Sequence, residues 1–259
     1  MKFIYWGIGI WCVAGILDFA AMPAVGRVLD WPGIIGKDNR EIADSTKSPW
    51  RSVGRLNYSG YGVYGYCTGT LIAPKIVVTA AHCFFDRRTE AEGYKRLPVK
   101  DYHFALGMAR DQFVELGQID CVHIPPEFDP NKSQALSDVY SDVAIVILKE
   151  PMHEPPIEFA DDDALTEDAV VAHAGYGRDR PYLLSVHKDC RILSSSENVV
   201  LTNCDSNFGQ SGGPILIEQD GKVKIAAIMS RVMERLANWA VSIGSVRKLA
   251  EDTSCNTKT

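Results

Sequence analysis

Between Phe208 and Pro214 the chain reads Phe-Gly-Gln-Ser-Gly-Gly-Pro, and this run limits the local fold more than any other. Gly209, Gly212, Gly213 and Pro214 are unsuited to a helix interior and poor in a regular strand, so the segment is expected to turn tightly between two strands. Glycines also let another molecule approach the main chain closely, and they allow the N–H groups of Gly209 and Ser211 to aim at one point beside the Ser211 hydroxyl. A nucleophile flanked by donors for a developing oxyanion is what acyl transfer requires. A plain turn is the alternative reading, and a base elsewhere in the chain decides between the two.

The rest of the chain has the texture of short strands separated by turns. Residues 53–66, rich in Gly and Tyr, read as a hairpin, and strands are expected at 67–71, 76–79, 104–107, 113–121 and 142–148. Further strands are expected at 169–174, 199–202, 215–218 and 222–230, and a short C-terminal helix at 246–251. Strands of this length and spacing indicate an all-β barrel or sandwich. Residues 151–168, with Pro155-Pro156 and the run Asp161-Asp162-Asp163, read as the linker between two halves. The three acids lack the spaced ligand loop and closing Glu of a calcium site, so they read as a solvated loop.

The first 25 residues read as a secretory signal peptide: a positive start at Lys2, an uncharged apolar stretch over 3–17, then small residues at Ala20, Ala21 and Ala24. The stretch is shorter than the ~20 residues that span a bilayer. An uncleaved anchor is the alternative, and only then would a membrane be a partner. Residues 26–50, polar and broken by Gly and Pro, read as an N-terminal arm. Beyond the leader stand six cysteines, Cys67, Cys83, Cys121, Cys190, Cys204 and Cys255. That number suits an exported protein, secreted or periplasmic, with three bridges. Short spacing favours Cys67–Cys83 and Cys190–Cys204, which leaves Cys121–Cys255 by elimination. No C-x-x-C pair is present, so no zinc site is expected. A formal charge of −6 without a basic cluster gives no footing for nucleic acid.

Of the six histidines, His82 has the context of a base. In Thr79-Ala80-Ala81-His82-Cys83 it follows two small residues and precedes a cysteine that fixes the backbone. A neutral imidazole held there can take the serine proton and return it to a leaving group. Such a base needs a carboxylate that sets its tautomer. Asp142, at the head of Asp-Val-Ala-Ile-Val, fits, because a carboxylate opening a buried strand is costly unless it meets a hydrogen-bonded partner. Asp138 is the alternative.

Thr-Ala-Ala-His-Cys, Asp-Val-Ala-Ile-Val and Gly-Gln-Ser-Gly-Gly-Pro, in that chain order, resemble the trypsin-like (chymotrypsin-fold) serine peptidases. The Cys67–Cys83 spacing also resembles that family's bridge beside its catalytic histidine. Ile34-Ile35-Gly36-Lys37-Asp38-Asn39-Arg40, Trp50-Arg51 and Ala174-Gly175-Tyr176-Gly177 resemble the bacterial V8-like, glutamyl endopeptidase-like branch. The resemblance implies one peptidase domain of two six-stranded antiparallel β-barrels with the active site in the cleft between them. Residues 51–155 would form the first barrel, with His82 and Asp142, and 156–259 the second, with Ser211 and the C-terminal helix. It implies a monomeric serine endopeptidase acting on polypeptides through an acyl-enzyme, with no cofactor and no metal.

The resemblance also puts the substrate pocket around Asp205, Ser206, Met229, Ser230 and Arg231, and it leaves the preferred residue open. Met229 stands where glutamyl endopeptidases carry a pocket-wall histidine, which argues against Glu at P1. Asp205, six residues before Ser211, has the offset of trypsin's pocket aspartate, which would favour Arg or Lys. Arg231 would favour acidic groups. A catalytically silent relative acting as a binding or scaffold protein is the competing function, and the complete motif set argues against it. Trypsin-like zymogens carry an aspartate just before the nucleophile, which pairs with a newly freed N-terminal ammonium. Here that position is Gln210, which forms no ion pair, so the oxyanion loop is expected to be ordered without N-terminal insertion.

Overall fold

The computed structural model describes residues 31–60, 63–86, 93–132, 139–233, 235–251 and 254–255. The expected signal peptide and the alternative carboxylate Asp138 lie outside the described residues. Two closed six-stranded antiparallel barrels dominate the fold. The first takes β1 (Val53–Gly60), β2 (Val63–Ala73), β3 (Ile76–Thr79), β4 (Tyr102–Leu106), β5 (Glu115–His123) and β6 (Ala144–Leu148), in the order β1-β2-β3-β6-β5-β4. The second takes β7 (Val170–Gly175), β8 (Ser185–Ser195), β9 (Val199–Thr202), β10 (Pro214–Gln219), β11 (Lys222–Met233) and β12 (Ala237–Ser242), in the order β8-β7-β10-β11-β12-β9. Pairing of β9 with β8 closes it. Counted from its own first strand, the second barrel has the strand order of the first. The chain thus repeats a topology that its residue identities do not show.

The uninterrupted apolar runs follow from where these strands sit. Ala144, Val146 and Leu148 of β6 face the core of the first barrel beside Leu56, Leu71, Phe84 and Phe104. Ile145 and Ile147 face the other way, into a layer shared with Val186, Leu216, Ile228 and Val241 of the second barrel. Val77 and Val78 of β3 divide between the same two cores. A strand buried on both faces loses polar alternation. The second barrel has its own core of Val171, Ile192, Val200, Ile215 and Met229. Each such side chain taken fully out of water contributes roughly 1.5–3 kcal/mol before the entropic cost of ordering.

Two strands are absent from the sequence reading, β8 and β12. Alternation along β8 breaks at Lys188-Asp189, where Asp189 adopts a φ of 58° and both side chains are exposed. In β12 the buried Asn238 interrupts the apolar pattern, because its Nδ2 donates to the carbonyls of Gly33 (2.9 Å) and Cys204 (2.7 Å). The closing helix α1 (Ile243–Ala250) begins three residues before the expected start and buries Ile243 and Val246 against the shared layer. The acidic run is tied down by Arg247 of α1, which pairs with Asp162 at 3.0 Å. Three bridges form, Cys67–Cys83, Cys190–Cys204 and Cys121–Cys255. The last joins β5 to the chain beyond α1.

Candidate active site

His82 lies in a short 3-10 turn, Ala81–Phe84, directly after β3. Ala80 and Ala81 are wholly buried, so a longer side chain at either would have to displace core atoms. Buried Phe84 and the bridge from Cys83 to Cys67 on β2 hold the turn from its far side. The Tyr102 hydroxyl adds a hydrogen bond to the Cys83 carbonyl at 2.7 Å. Thr79 on β3 pairs with Ala144 on β6, which brings the residues before β6 alongside the turn.

Asp142 occupies that position. Its Oδ1 accepts the His82 main-chain N–H at 2.9 Å, and its Oδ2 lies 2.7 Å from His82 Nδ1. Ser230, on β11 of the second barrel, donates its hydroxyl to the same Oδ2. Burial works against the charge on Asp142, but the neighbouring imidazole, its hydrogen bonds and the Ser230 hydroxyl outweigh it. The carboxyl is therefore held below its ordinary range. An ionised carboxylate can only accept, so Nδ1 carries the proton and Nε2 is left with a lone pair.

The turn at 207–213 is bound to both barrels. The Ser211 carbonyl accepts the N–H of Thr68 on β2 at 2.9 Å, and the Thr68 hydroxyl donates to the Gly209 carbonyl at 2.9 Å. The same hydroxyl accepts the N–H of Tyr176 at 2.9 Å. Gly212 N–H donates to the Met229 carbonyl, and Met229 N–H to the Gly213 carbonyl. Two glycines are required here. Gly209 has a φ of +94°, and a Cβ on it would lie 2.6 Å from the Tyr176 carbonyl oxygen. Gly212 has a φ of +80°, and a Cβ on it would lie 2.1 Å from Thr79 Oγ1, 2.3 Å from the Thr68 carbonyl oxygen and 2.8 Å from Ala80 N. Ser211 thus neighbours a residue seated against Thr79 at the end of β3, three residues before His82. Among the described residues no hydrogen bond joins the Ser211 hydroxyl to the His82 ring, and no protein acceptor takes the main-chain N–H of Gly209 or Ser211. Catalytic hydrogen bonds are often long before substrate binds.

The residues expected around the substrate pocket have other partners. Asp205 is wholly buried, and its carboxylate accepts the N–H groups of Ile35 and Asn39, each at 2.8 Å, which anchors the N-terminal arm. Ser206 is buried with its hydroxyl 3.3 Å from His173 Nε2. Met229 points into the core of the second barrel, and Ser230 supports Asp142. Arg231 is half-buried on β11, opposite Trp239.

Three contributors escape the sequence reading. Thr68 ties the 207–213 turn to the first barrel; its one signal is its place after Cys67. His173 is wholly buried beneath the turn, with Nδ1 3.2 Å from the Pro214 carbonyl. That carbonyl can only accept, so Nδ1 carries the proton and Nε2 receives the Ser206 hydroxyl. Burial pushes the His173 ring down to about 3. The third is Arg40 of the arm. Its guanidinium is fully buried and makes five hydrogen bonds, two to Asp38, two to Asp179 and one to Gln210.

Comparison with protein families matches residues 37–238 to the family described as Trypsin. The chain belongs to the trypsin family. Serine protease 23 of Bos taurus is 26% identical over 186 residues, covering 63% of this chain and 48% of its own length. The chain thus spans about half the length of the curated relatives it matches. Glutamyl endopeptidase of Bacillus licheniformis is 39% identical over 54 residues, 20% of this chain and 16% of that protein. Among solved structures, a Glu endopeptidase in complex with MPD superposes with a TM-score of 0.67 at 17% identity, covering 85% of this chain and all of that one. The VesB protease of Vibrio cholerae gives 0.63 at 20% identity, covering 81% of this chain and 65% of that one. The likeness to the glutamyl endopeptidase-like branch read in the arm thus has counterparts in both sequence and fold.

Proposed function

We propose that this chain is an exported, monomeric serine endopeptidase that hydrolyses polypeptides through an acyl-enzyme. The observation that carries the reading is the pairing of buried Asp142 with His82 at 2.7 Å, just after the end of β3 against which Gly212, the neighbour of Ser211, is packed. Ser211 Oγ bonds to the scissile carbonyl carbon while its proton passes to His82 Nε2. Asp142 stabilises the imidazolium that results, and the N–H groups of Gly209 and Ser211 donate to the oxyanion. The intermediate collapses as His82 gives the proton to the leaving amine, which departs and leaves an ester on Ser211. Water then attacks the ester, its proton goes to His82, and the acid is released as the serine is restored. Three bridges support an oxidising, exported setting.

A P1 preference for Arg or Lys set by Asp205 loses its support, since that carboxylate already receives two main-chain N–H groups. The test is digestion of a random peptide library by the purified protein and by Ser211→Ala, with cleavage sites read by mass spectrometry. Cleavage by the wild type alone, without an Arg/Lys bias, is expected. Equal cleavage by the mutant contradicts the assignment.

A further inference from the structure

The sequence places a neutral Gln210 where trypsin-like zymogens hold an aspartate for a free ammonium, and the structure puts a cation there that never leaves the chain. Every N–H of the Arg40 guanidinium has an acceptor. Nε and Nη2 bind Asp38 at 2.9 and 3.0 Å. Nη2 and Nη1 bind Asp179 at 2.8 and 3.3 Å, and Nη1 binds Gln210 Oε1 at 2.8 Å. Arg180 closes the outside of this cage on Asp38 at 2.9 Å, so two cations meet two anions. Gln210 Oε1 also accepts the Asn207 N–H at 2.9 Å, and Gln210 N–H returns to the Asn207 carbonyl at 2.9 Å. Both groups facing that amide are donors, so only its oxygen can face them and its orientation is fixed. Asn207 Nδ2 reaches Asp179 at 2.7 Å, so the 207–210 turn hangs from the cage at two points.

We infer that Arg40 is the positioning residue of the oxyanion loop: the arm carries in-chain the cation that holds Gln210, and through it the N–H groups of Gly209 and Ser211. The inference rests on the reading of Ser211 as nucleophile. Asp205 serves the same end by fixing Ile35 and Asn39, which deliver Arg40 to its site. The arm is then needed for activity, whereas a free N-terminus is not.

The probe is a fluorophosphonate, whose phosphorus bonds to Ser211 Oγ as fluoride leaves and His82 takes the hydroxyl proton. Removal of one oxyanion donor costs about 10²–10³ in rate. Arg40→Ala is therefore expected to lower the maximal labelling rate about 100-fold at an unchanged half-saturating probe concentration. Added methylguanidine should restore part of the rate, since Asp179 and Arg180 also line an open cleft of about 670 Å³ through which a small solute can reach the cage. Methylamine should restore none. Because Arg40→Ala removes the buried cation between two half-buried carboxylates and can fail to fold, Gln210→Leu is the second variant, with the same expected loss. Secreted forms that begin at several positions between Gly26 and Gly33 should label within a few-fold of one another. Labelled wild type together with folded, equally labelled Gln210→Leu overturns the inference alone. Wild type that takes no label overturns the peptidase reading, and the inference with it.

Discussion

His173 makes the stability of the turn that holds Ser211 depend on pH in a way that can be calculated. The ring is wholly buried, and its two nitrogens face the Pro214 carbonyl and the Ser206 hydroxyl, on either side of Ser211. Burial lowers its pKa from 6.5 to about 3. Below pH 6.5 the unfolded chain takes up a proton that the folded ring refuses until about pH 3, so acidification favours unfolding. The stabilisation is fully present above pH 6.5 and is lost as pH falls across that window. At ~1.4 kcal/mol per pH unit, the loss is about 3 kcal/mol by pH 4 and about 4 kcal/mol by pH 3, where half of the folded rings are protonated. His173→Asn keeps a donor for the Pro214 carbonyl and cannot titrate here, so its packing cost is the same at every pH. Urea unfolding of both proteins, oxidised, at steps from pH 7.5 to 4 gives the difference directly. The wild-type advantage should shrink by about 3 kcal/mol. A difference that stays constant across the range would refute the argument. So would one that grows on acidification.

Other outcomes follow from the same contacts. Asp142→Asn should lower kcat about 10⁴-fold, because an amide in that place favours the wrong His82 tautomer, whereas Asp138→Asn should change kcat little; reversed effects in purified enzyme would move the assignment. Gly212→Ala should cost about 2–4 kcal/mol in chemical denaturation, from a left-handed backbone and a Cβ pressed on main-chain atoms of Thr68 and Ala80 that cannot swing aside; a change below about 0.5 kcal/mol would show that the seam between the barrels yields. A non-reduced digest should give peptides joined at Cys67–Cys83, Cys190–Cys204 and Cys121–Cys255, and free Cys83 would contradict the fold.

The sequence is most readable where one residue type answers one physical need. Glycines at 209 and 212 announce the turn because only glycine accepts those angles and those neighbours. The apolar runs of β3 and β6 announce doubly buried strands. Asp142 is legible because a carboxylate at the head of such a strand requires a partner. Arg40 is not legible, because its five acceptors come from the arm, from the loop after β7 and from the 207–213 turn, which only folding brings together. Asp205 misleads for the same reason. Its offset from Ser211 is a local property, but Ile35 and Asn39, more than 160 residues away, take its oxygens. Strand β12 is hidden because Asn238, polar in sequence, is buried by its hydrogen bonds to two main-chain carbonyls.

The central claim is that Ser211 is a nucleophile activated by His82. Its most direct measurement is intact-mass and peptide mapping after incubation with a fluorophosphonate at neutral pH. One phosphonyl group per chain, located on the peptide that holds Ser211, is predicted for the wild type. His82→Ala, with its three bridges intact, should label at least about 10³-fold more slowly. A wild-type protein that is folded and takes no label contradicts the account. Label on another serine, or at the same rate without His82, does so as well.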